Sequence, residues 1–314
     1  MLLWKKESSD FMIQPPKFTL YEDAKKDMNQ VGGSLWLYII MQICMTFVLS
    51  FILAPASFYF FGYDYSVMNA LISMIISFVS GMILLWFMNS SFRLKLKDLK
   101  FSFKPRETID TIGMMYFFNY VIGLIGGLLS KIGLPDTSPD LWLNSDVWYD
   151  IFTFISVVIL APIFEELIFR GMILRTLSKY NKVFAIVITS LFFALLHLNI
   201  TQAVPAFFMS LVLCYMSLKT NSLSVTILAH AANNLLALLS TYFDGNMFIL
   251  VVIMACVIYG LICLILQSKE ISLFINEERT QENWYGYFFK RVPNILYVVF
   301  TVIWILVSLI GSMI

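Results

Sequence analysis

Long apolar runs alternate with short polar stretches along most of the chain. The pattern resolves into nine hydrophobic segments, roughly 33–62, 66–88, 111–134, 148–174, 183–198, 203–219, 222–243, 247–267 and 294–314. Unbroken runs near ~20 residues are long enough to cross the hydrocarbon core of a bilayer as helices. The ten-residue alternation of a transmembrane barrel is missing. The expected fold is all-α, a polytopic transmembrane helical bundle of about 8–9 membrane segments. Pro55 interrupts the first segment and Phe58, Tyr59, Phe60 and Phe61 follow, which reads as a tilted span ending in an interfacial stretch. The fifth and sixth segments are short and read either as two brief spans or as a hairpin dipping into the protein.

Composition supports the membrane reading. Apolar residues make up 60% of the chain and charged residues 13%, too little polar surface for a soluble protein of this length. The net charge of +1 provides no basic field, so no nucleic-acid partner is expected; the partners are the lipid bilayer and whatever the site acts on. Residues 1–32 read as a polar N-terminal tail, and the late start of the first apolar run does not fit a cleavable signal peptide. With that tail on the cytoplasmic side and every segment crossing, all basic residues except Lys131 fall inside, as the positive-inside rule requires. The predicted outer stretch 135–150 carries Asp136, Asp140, Asp146 and Asp150 instead. The loops 89–110 and 268–293 read as solvated connectors, and Gly123 to Gly127 as a place where two helices approach closely. Cys44, Cys214, Cys256 and Cys263 lie in apolar runs without metal or redox spacing and read as packing residues.

The chemistry is concentrated in 148–243, between N-terminal helices in 33–147 and C-terminal helices in 244–314. Ionisable groups inside a membrane are costly and mark functional sites, and this stretch holds both histidines and an adjacent pair of glutamates. Glu166 and Arg170 are four residues apart and can pair on one helix face. Glu165 points about 100° away and is free to face another partner. Pro162, a turn earlier, removes a backbone donor. Phe193 shares a face with His197, and His230 with Asn234. By helix rise Glu165 and His230 lie at similar depth, whereas His197 comes out nearer the outer side. A carboxylate and an imidazole sharing a water can accept its proton as it attacks a carbonyl. The second imidazole and the Asn234 amide can donate to the oxyanion. Alternatively, Glu165, His197 and His230 form the three-ligand set of a catalytic Zn2+ site. No organic cofactor is expected.

Taken together, Glu165-Glu166-x-x-x-Arg170, Phe193-x-x-x-His197 and His230-x-x-x-Asn234 resemble the CPBP family of intramembrane proteases. This group includes the type II CAAX prenyl endopeptidases and the bacterial Abi or bacteriocin-processing proteins. The resemblance covers about 148–243, with Gly171 after the arginine as the family often has it. It implies an endopeptidase cleaving a membrane-associated peptide or protein, with Glu165 and His197 activating water and His230 and Asn234 stabilising the oxyanion. Glu166, Arg170 and Phe193 support them. It also implies a multi-pass location in a cell membrane, bacterial by the same likeness, and does not extend to a prenylated substrate. Two readings of other classes stand beside it: a proton-coupled transporter, which the lack of an internal repeat disfavours, and a non-catalytic immunity or scaffold protein.

Overall fold

The structure, a computed structural model, describes residues 17–60, 65–131, 146–279 and 282–312. These residues are helical or in short connections, with no strand among them. The helices are α1 (Lys17–Phe60), α2 (Tyr65–Ser91), α3 (Pro105–Lys131), α4 (Val147–Leu177), α5 (Lys182–Leu195), α6 (Ile200–Thr220), α7 (Leu223–Tyr242), α8 (Met247–Glu277), α9 (Trp284–Phe289) and α10 (Val292–Gly311). Among the described residues, eight helices are long and apolar enough to cross a membrane. Only one of the two short segments is short as a helix. α6 has 21 residues, whereas α5 has 14, about 21 Å of rise against a core of about 30 Å.

Large apolar side chains project outward around the bundle, Phe47, Phe51, Trp86, Phe248 and Leu266 among them. In water that surface would be an association hazard; around a membrane bundle it is the face presented to lipid. α4 lies at the centre, packed by α2, α5, α6 and α7. α1 pairs with α2 and α10, and α3 lies against α6, α7 and α8.

Three expectations about the connections change. α1 begins at Lys17, inside the stretch read as a polar tail, and Ala24, Asp27 and Met28 are buried. Tyr180 donates to Asp27 Oδ2 at 2.8 Å, tying that end of α1 to the turn after α4. The helical backbone also continues through Pro55 to Phe60, while Phe61 lies outside the described residues. The 268–293 connector is largely structured: α8 runs to Glu277, and α9 buries Trp284 and Phe288. In 89–110, Ser102 and Ser222 exchange bonds at 2.9 and 2.8 Å, joining the loop to the start of α7. The acidic stretch 135–145 lies outside the described residues.

The glycine expectation is corrected as well. Cβ atoms built on Gly123 and Gly127 meet nothing within 4 Å. The close approach is between Gly113 of α3 and Gly260 of α8, where a Cβ on Gly260 would lie 1.9 Å from the Gly113 carbonyl oxygen. Only a residue without Cβ lets the two backbones pack at that distance. Cys214 and Cys263 are buried free thiols, Cys256 is half-buried and Cys44 exposed.

Candidate active site

α4 departs from regular helix on both sides of Pro162. Residues Ile155–Leu160 and Glu166–Leu174 form wide turns with bonds spanning five residues, flanking Ala161–Glu165. The cause is local. Pro162 has no N–H to donate and its ring crowds the preceding carbonyls. The Ala161 N–H reaches back five residues to Ser156, which leaves the Val157 carbonyl without a helical partner. Asn234 of α7 fills that place, donating Nδ2–H to Val157 O at 2.9 Å. Insertions of this kind recur at functional sites because they re-aim side chains.

Behind the wide turn lies a closed polar cluster. Glu166 and Arg170 are both 0% exposed, with Arg170 Nη1 donating to Glu166 Oε1 at 2.9 Å. Arg170 Nη2 donates to Ser210 Oγ of α6 at 2.8 Å, and its guanidinium lies 4.4 Å from the centre of the Phe193 ring. His230 is 3% exposed and places Nδ1 2.9 Å from Glu166 Oε1. Because that carboxylate is paired with Arg170, Nδ1 is the protonated nitrogen and Nε2 is the one turned elsewhere.

Nε2 of His230 faces Glu165, 3.8 Å from Oε2. That is too long for a direct hydrogen bond, and wide enough for both atoms to hold one water at about 2.8 Å each. Unlike its neighbour, Glu165 is part-exposed and lines a cavity of about 890 Å³ together with His197. His197 lies just beyond α5, in the turn Leu196–Asn199 that leads into α6. Its Nδ1 is 3.1 Å from the Phe193 carbonyl oxygen. A carbonyl can only accept, so Nδ1 carries the proton and Nε2 holds a free lone pair.

The turn is held from both ends. Asn199 caps α6 through the Gln202 N–H at 2.8 Å and donates Nδ2–H to the His197 carbonyl at 3.0 Å. These bonds help sustain the left-handed φ of 57° at Leu198, which costs about 1–2 kcal/mol for a residue with a side chain. The depth mismatch read from the sequence disappears because α5 ends early and the chain turns inward, bringing His197 to the cavity that Glu165 lines.

Phe193 connects the two imidazoles. Its ring meets His197 edge-on at 5.2 Å and His230 at 5.9 Å, so one buried phenyl limits the rotation of both. The expected Phe193–His197, Glu166–Arg170 and Glu165–His230 proximities are all present. Asn234 differs: one N–H goes to Val157, and its Oδ1 accepts from Asn233 at 3.2 Å. Asn233 accepts in turn from Asn119 of α3 at 3.0 Å, so the amides form a chain from α3 to the wide turn of α4.

Sequence reasoning missed the wall opposite Glu165. Tyr38 and Gln42 of α1 and Ser77 of α2 line the same cavity, and the Tyr38 hydroxyl lies close to Ser80 and Gln42. Polar residues at four-residue spacing in the first span were the available signal. For a metal, the donor chemistry is suitable, since both histidines have Nδ1 engaged and Nε2 available. The spacing is not: among the described residues no three His, Cys, Asp or Glu side chains are grouped to hold an ion.

Comparison with curated proteins and with solved structures returns no match. A family model does match, described as Rce1-like, type II CAAX prenyl endopeptidase, over residues 147–236. That stretch runs from α4 into α7 and contains all three motifs, and over it the chain is similar to the CPBP/CAAX intramembrane proteases that those motifs resemble.

Proposed function

We propose that the chain is an intramembrane endopeptidase in which Glu165 and His197 activate a water against a peptide carbonyl. The observation that carries the reading is that one carboxylate and one imidazole with a free Nε2 line the same cavity inside an apolar bundle. Glu165 accepts a proton from water as the new C–O bond forms and negative charge moves to the carbonyl oxygen. The proton then passes to the leaving amine as the C–N bond breaks. His197 Nε2 accepts from the same water and fixes its lone pair toward the carbonyl.

His230 turns Nε2 toward Glu165. That nitrogen, once protonated, donates to the oxyanion. Asn234 enters first as a positioning residue through Val157, with one N–H left to offer the oxyanion. The substrate class is a membrane-associated peptide or protein, and the cytoplasmic N-terminus expected from the basic residues places the cut toward the cytoplasmic half of the bilayer.

The test compares membrane peptides from cells carrying wild-type or Glu165→Gln protein by mass spectrometry. The expected outcome is a peptide fragment present only with the wild type, at equal protein abundance. Identical peptide profiles would remove the protease reading.

A further inference from the structure

The cavity wall built by α1 has a periodicity that water activation alone does not require. Tyr38, Gln42, Thr46 and Ser50 all line it, each four residues after the last. On a helix that spacing makes one polar stripe, rising about 6 Å per step. Beside it runs an apolar stripe that emerges from the bundle, ending in Phe47 and Phe51 at 77% and 79% exposure. The deep end, at Tyr38, is buried and adjoins Glu165 and His197; the other end reaches the surface that faces lipid.

An extended chain advances about 6.6 Å for every two residues, close to the step of the polar stripe. A chain lying along α1 therefore presents a backbone N–H or C=O toward each polar side chain in turn. From Tyr38 to Ser50 the stripe rises about 18 Å, the length of five or six extended residues. A helical segment has its backbone bonds closed internally and offers nothing to such a row. Thr46 donates to the Gln42 carbonyl at 2.8 Å and retains its oxygen as an acceptor. The Gln42 amide, with two donors and an acceptor, keeps capacity beyond its contact with Tyr38.

The geometry points to α1 as the substrate rail: Gln42, Thr46 and Ser50 bind the backbone of an unwound, apolar peptide segment that enters from lipid past Phe47 and Phe51 and leads to Glu165 and His197. This inference rests on the endopeptidase reading for what happens at the deep end, but the binding itself does not need hydrolysis.

The test uses full-length Glu165→Gln protein in lipid nanodiscs and two fluorescent synthetic peptides of equal length. One is an uninterrupted Leu/Ala helix; the other carries six central Gly, Ser and Pro residues that keep it unwound. The expected result is at least tenfold tighter binding of the interrupted peptide. Adding Gln42→Leu, Thr46→Val and Ser50→Ala should weaken that binding at least tenfold. The near-isosteric pair Thr46→Val and Ser50→Ala should give a smaller loss with an unchanged melting temperature. Equal binding of the two peptides, or unchanged affinity in the triple variant, overturns the rail. Mass spectrometry of the interrupted peptide with the wild type reports hydrolysis separately. Preferential binding without cleavage keeps the rail and removes the protease reading, whereas cleavage with no effect of the triple variant does the reverse.

Discussion

Glu165 and Glu166 are neighbours in sequence and belong to different regions of the molecule. Glu166 sits in a closed cluster where Arg170, His230, Ser210 and Phe193 meet, with no exposure at the ion pair. Glu165 faces the cavity wall shared by His197 and the polar stripe of α1. One carboxylate is fixed by its partners, and the other has a gap in front of it that suits a water. The contrast shows how a membrane protein keeps a reactive acid near a buried charge network: the network orients the histidine, and the histidine faces the acid across 3.8 Å.

Breaking the closed side should have the largest effect on folding. Arg170→Met alone leaves Glu166 as an uncompensated buried charge and should destabilise by about 3–5 kcal/mol. Pairing it with Glu166→Met should recover most of that loss, because both charges leave together. Thermal unfolding in detergent or nanodiscs reads both. A double variant as unstable as the single one would mean that Arg170 acts through packing on Phe193 instead.

The link between the two sides can be tested through the Pro162 turn. Asn234→Ala leaves the Val157 carbonyl unsatisfied and should cost about 1–3 kcal/mol. Pro162→Ala restores an N–H to the helix, so the Asn234→Ala penalty should shrink in that background. A double-mutant cycle measures the difference. Equal penalties in both backgrounds would detach Asn234 from the turn.

These two regions were legible in the sequence to different degrees. The closed side follows from helical periodicity: Glu166 and Arg170 meet because residues four apart share a face. The spans follow from run length. The open side depends on departures from periodicity. His197 reaches the cavity because α5 stops at Leu195, and the Asn234 amide is turned to Val157 because Pro162 widens the helix. Neither offset can be counted from residue spacing. Tyr38, Gln42, Thr46 and Ser50 were visible as polar residues at four-residue spacing in an apolar run, but what they face depends on the partner helices.

The glycines test the scaffold on a smaller scale. Gly260→Ala forces a Cβ into the Gly113 backbone and should destabilise by about 1–3 kcal/mol. Gly127→Ala enters open space and should be close to neutral. Melting temperatures of the two variants check this, and a reversed order would move the close contact of α3 back to the 123–127 stretch.

The most direct test of the division between the two carboxylates is turnover and melting temperature measured on Glu165→Gln and Glu166→Gln side by side. Glu165→Gln should lower cleavage by about 10²–10⁴-fold with its melting temperature unchanged. Glu166→Gln should lower the melting temperature, losing activity in step with folded protein. Normal turnover in Glu165→Gln at full stability would contradict the assignment of the open carboxylate as the base.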